Sequence, residues 1–92
     1  MLKNKLELIR DGSPQVLLTW HKHSESGEVI PVAIEYLDDL EPEVRTSIEN
    51  IALRPVLAMV EGTRKRVAPG TSAHFLALPR VLSRLGFRTR QY

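Results

Sequence analysis

Ninety-two residues, 42% apolar and 26% charged, make one small domain, and the lack of cysteine excludes a disulfide framework and a Cys-based zinc ribbon. The net charge of +2 conceals a division: residues 1–61 hold all eleven acids and six bases, and residues 62–92 hold seven bases and no acid. No apolar run approaches the length of a membrane span, and the start, MLKNKLELIRDG, lacks an apolar targeting core, so a cytoplasmic protein is expected.

The first third alternates. In KLELIR, Leu6 and Leu8 interleave with Lys5 and Glu7, the pattern of a half-buried strand. Asp11-Gly12 then closes a turn, because both residue types tolerate positive φ. QVLLTWHKH puts Val16, Leu18 and Trp20 on one face and Thr19, His21 and His23 on the other. SESGE is a turn, and VIPVAIEYL a third strand with Val32, Ile34 and Tyr36 on one side. Pro31 costs that strand a donor, which places its start at an edge or bulge. Short connections make the three an antiparallel meander over residues 1–37.

At Asp38 the period changes. DDLEPEVRTSIENIAL places Val44, Ile48, Ile51 and Ala52 at helical spacing, with Asp38 or Asp39 as a cap and Pro42 in the first turn. Arg54-Pro55 ends that helix, since a residue before proline avoids the α region. PVLAMVEG, residues 55–62, reads as a second short helix closed by Gly62. A basic loop is expected over 62–70. Thr71 or Ser72 then caps a helix over 72–85 that carries Phe75, Leu78 and Leu82, is kinked or restarted at Pro79, and ends at Gly86 with Phe87 folded back onto Leu82. RTRQY either adds a short strand or frays. ALRPVLAMVEG and ALPRVLSRLG echo each other at an offset of 25 residues, too short a pattern to count as a repeat.

The expected fold is therefore α+β: a three-stranded antiparallel meander followed by two to three short helices, near 41–53, 55–62 and 72–85, packed on one sheet face. The core is expected to contain Leu18, Trp20, Ile34, Val44, Ile48, Val60, Phe75, Leu78 and Leu82.

EGTRKRVAPGTSAHF is the stretch with most chemical content. A phosphate site combines backbone N–H groups at a helix start with nearby cations, and Arg64, Lys65 and Arg66 followed by Pro-Gly-Thr-Ser supply both. It is not a Walker loop: Gly62 and Gly70 are too far apart and no lysine follows Gly70. A solvated connection explains it as simply. Arg80 and Arg84 lie a turn apart on the next helix, and Arg88 and Arg90 continue past its end. If these seven cations converge, they make a patch suited to a phosphate backbone. Free aromatic residues are scarce, so base-specific reading is not expected.

His21 and His23 share a strand face and would hold zinc only with a third ligand such as His74 or Glu28; a solvated polar face is the simpler account. No nucleophile elbow, metalloprotease helix or dinucleotide fingerprint occurs, and no cofactor is implied. The expectation is a small non-enzymatic binding protein that contacts DNA or RNA phosphates with little sequence choice. Its site would comprise Arg64, Lys65, Arg66, Thr71, Ser72, Arg80, Arg84, Arg88 and Arg90. The alternative is an accessory or regulatory module that homodimerises, or docks on an acidic protein, through the same basic surface. Glu35, Asp38, Asp39, Glu41 and Glu43 would then match that surface on a second copy.

Overall fold

A computed structural model describes residues 5–20 and 32–91. Eight elements follow in order: β1 (Lys5–Arg10), β2 (Ser13–Trp20), β3 (Val32–Tyr36), α1 (Pro42–Leu53), β4 (Val56–Val60), β5 (Thr63–Val67), α2 (Ser72–Ser83) and β6 (Arg88–Gln91). The class is α+β, but the sheet has four strands rather than three. Its order is β3-β2-β1-β6, with every neighbouring pair antiparallel. The C-terminal RTRQ pairs with β1, so the chain end completes the sheet instead of fraying.

Asp11 and Gly12 both adopt positive φ, 54° and 76°, which matches the right-handed twist of the flanking strands and joins β1 to β2. The register slips between Leu8 and Ile9, where Val16 and Pro14 are the successive partners and Gln15 bulges. The bulge accommodates Pro14, which has no N–H for a regular ladder. Leu6, Leu8, Val16, Leu18 and Trp20 point to one face and are fully buried there under Ile48, Ala52, Phe75, Leu78 and Leu82 of the two helices. Of the expected core, Ile34 and Val44 are partly buried against this cluster and Val60 is half-buried. Leu40 joins it unforeseen, and Phe87, expected to fold back onto Leu82, is buried in it as well.

α1 begins at Pro42, whose missing N–H is harmless in the first turn. Its cap position is Glu41, not Asp38 or Asp39. The Asp38 carboxylate instead accepts from the Asp39 N–H at 2.8 Å. α2 runs continuously through Pro79. It closes as a Schellman motif, the Phe87 N–H donating to the Leu82 carbonyl at 3.3 Å and the Gly86 N–H to Ser83 at 3.0 Å. Gly86 takes the left-handed conformation this requires, φ 87°.

The largest departure is at 55–67. No helix forms over 55–62, and 62–70 is not a basic loop: β4 and β5 make a two-stranded antiparallel hairpin. Glu61 and Gly62, φ 52° and 77°, form its two-residue turn. Glutamate fits the left-handed region poorly and asparagine fits it well. Glu61→Asn is therefore expected to raise stability by about 0.5–1 kcal/mol, seen as a higher urea midpoint at unchanged slope.

Candidate functional site

The hairpin register decides where each cation points. Leu57 opposes Arg66, and Met59 opposes Arg64; these four share one face because cross-strand partners do. Ala58 opposes Lys65 on the other face, with half-buried Val56 and Val60 to either side of Ala58 along β4. Between β4 and α2 runs an open groove of about 690 Å³. Leu57 through Glu61 line one wall; Ala73, Leu76, Ala77, Arg80, Val81 and Arg84 line the other, and Arg64 reaches in from β5. Three apolar side chains beside these cations are unusually open: Leu57 at 53%, Met59 at 56% and Leu76 at 71%.

The seven cations are all exposed, and they divide. Arg64, Arg80 and Arg84 meet in the groove. Arg66 shares the hairpin face of Arg64, and Lys65 faces the other way. Arg88 and Arg90 oppose Ile9 and Glu7, which alternate with inward-facing Leu8, so they lie on the sheet face away from the helices. There the Arg90 guanidinium meets the buried Glu7 carboxylate at 3.0 Å. The basic third of the chain thus has an acidic partner within its own sheet. Arg10–Glu41, at 3.7 Å, is the other ion pair among the described residues, so the groove arginines have no carboxylate partner among those residues.

At the start of α2 the Thr71 side chain is already engaged. The Thr71 hydroxyl accepts from the His74 N–H at 3.3 Å and donates to the Ala68 carbonyl at 2.7 Å, so it is used as a cap. The Gly70 N–H turns toward His74 Nδ1 at 3.5 Å. Ser72 is the first residue of α2.

His74 is fully buried rather than available as a ligand. Its Nε2 sits 2.8 Å from the Ile51 carbonyl, which can only accept, so Nε2 carries the proton and Nδ1 faces the Gly70 donor. Burial pushes its pKa below the ordinary imidazole value, partly offset by the bond to Ile51. Among the described residues no group of three or more His, Cys, Asp or Glu side chains is placed to hold a metal ion, and His21, His23 and Glu28 fall outside them. Among those residues no helix is long and apolar enough to cross a membrane.

Sequence reasoning missed Leu57, Met59 and Leu76 as site residues. The available signal was two short runs, VLAMV and TRKRV, separated by two residues ending in glycine. No family model, curated protein or solved structure matches this chain.

Proposed function

We propose that the protein is a small non-enzymatic interaction module that holds an acidic segment of a partner protein in the groove between β4 and α2. The observation that carries this reading is the mixture in the groove: Arg64, Arg80 and Arg84 alternate with exposed Leu57, Met59 and Leu76. Arginine and methionine are enriched where proteins meet proteins. Covering apolar surface contributes roughly 25 cal/mol per Å², a gain that a phosphate backbone does not offer. Three guanidiniums favour an anionic partner and can capture carboxylates in bidentate pairs.

The nucleic-acid reading keeps one specific support. β5 presents Arg64, Lys65 and Arg66 on both faces of an exposed two-stranded ribbon, an element that fits a major groove. One titration separates the two readings. Fluorescence anisotropy is followed with a labelled short peptide of alternating glutamate and valine, with duplex DNA and with single-stranded RNA, at about 150 mM salt. The peptide is expected to bind, and the double variant Arg80→Glu/Arg84→Glu to weaken it by about tenfold or more. Nucleic acid that binds at this salt with a steep salt slope, beside a peptide that does not bind, would replace the first reading with the second.

A further inference from the structure

We propose that the acidic partner segment binds as an added β-strand along the free edge of β4. This inference rests on the groove reading above and specifies how the groove is filled.

In an antiparallel pair, residues alternate between those that exchange both hydrogen bonds and those that exchange none. A two-residue turn makes the closing pair, Val60 and Thr63, the bonded kind. Ala58–Lys65 and Val56–Val67 are then also bonded. Leu57 and Met59 belong to the other set, so their N–H and C=O groups point away from β5. β5 is the sole sheet neighbour of β4 among the described residues. Residues 57–61 line the groove consecutively, from both faces of the strand, whereas β5 contributes Arg64 alone. The groove therefore runs along the unpaired edge.

Edge strands are ordinarily guarded by charge, proline or a bulge, because an open row of donors and acceptors recruits further strands. The two edges of this hairpin differ. β5 carries Arg64, Lys65 and Arg66 in succession. β4 is VLAMV, with no charge, no proline and a regular register. The edge without charge or proline belongs to the strand beside α2, and Ala73 and Ala77 line the groove there with small side chains. An added strand gains main-chain hydrogen bonds from Leu57 and Met59 and places alternate side chains toward the arginines.

Charge selects the occupant. A second copy that paired β4 with β4 about a two-fold axis would bring two sets of Arg64, Arg80 and Arg84 together, with only Glu61 in each groove to offset them. An acidic strand meets those cations with opposite charge.

The test uses the full chain and the glutamate–valine peptide in three forms: unmodified, N-methylated on every valine, and N-methylated on every glutamate. Only one parity of peptide N–H groups faces β4. One methylated peptide is expected to bind within about twofold of the parent, and the other to lose about tenfold or more. Met59→Pro, which deletes an outward N–H and spares the hairpin bonds, is expected to lose a similar factor while keeping its circular dichroism. If that variant unfolds, the peptide pair still decides. Equal behaviour of the two methylated peptides overturns strand addition, and the groove reading stands if Arg80→Glu/Arg84→Glu still weakens the parent. A parent peptide that does not bind at all overturns both. Light scattering that shows a dimer, abolished by Met59→Pro, overturns the acidic occupant in favour of a second copy.

Discussion

Trp20→Ala is expected to remove about 3–5 kcal/mol of stability, a large share of the roughly 5–15 kcal/mol available to a domain of this kind. Trp20 is fully buried at the end of β2. Its ring meets Phe75 edge-on, centroids 4.8 Å apart at 89°, and lies 6.3 Å from the His74 ring. Those two residues form the first turns of α2, so the indole fastens the helix to the sheet. Alanine would leave a cavity lined from two elements that cannot close on each other without moving the helix. The same movement would displace Ala73 and Leu76, which line the groove. Trp20→Phe keeps the aromatic pair and should cost much less. Thermal and urea unfolding followed by circular dichroism measure both. A loss under about 1 kcal/mol for the alanine variant would contradict this account of the core.

The second large effect is a loss of stability in mild acid through His74. Its folded pKa lies below the ordinary value because burial disfavours the charged ring. A proton added at Nδ1 would face the Gly70 N–H, setting donor against donor. The sign follows from where the proton binds. Near and below the ordinary imidazole pKa of about 6.5, the unfolded chain takes up a proton that the folded chain refuses. The stabilisation is complete above that value and is lost as pH falls through it, until the folded ring itself protonates. The slope can reach about 1.4 kcal/mol per pH unit for one such group. Urea midpoints measured between about pH 8 and pH 5 should therefore fall with acid. His74→Gln, which retains an N–H donor for Ile51 but does not titrate, should flatten that fall. An unchanged slope in the variant would assign it to other groups. His74→Ala, by contrast, leaves the Ile51 carbonyl without its donor and opens a cavity, and should cost about 2–4 kcal/mol at any pH.

Elements with strong local signals were readable. Alternation in KLELIR and QVLLTW, the Asp-Gly turn, Pro42 at a helix start and the Gly86–Phe87 closure each appear where local rules place them. The hairpin was hidden because VLAMV is a five-residue apolar run, too short to separate a helical period from an alternating one. The two echoing segments show the point. VLAMV is a strand, while in ALPRVLSRLG the residues through Ser83 lie in α2, although one segment follows a proline and the other contains one. The former meets a two-residue turn and a partner strand; the latter carries Leu78 and Leu82 into the core.

The amino-acid order by itself determined the α+β class, Pro42 in the first turn of α1, the stop before Pro55, the Thr71 cap and Gly86 closure of α2, and the concentration of positive charge after residue 61, because these depend on side-chain type and near-neighbour spacing. Only the tertiary structure decided that β6 returns to pair with β1, that Arg64, Arg80 and Arg84 meet while Arg88 and Arg90 lie on the far sheet face, and that β4 lies beside α2 along one groove. Those outcomes depend on strand register and on which segments distant in the chain bury the same apolar surface. A one-residue shift in pairing would send every side chain of a strand to the opposite face, and no short window of sequence carries that information.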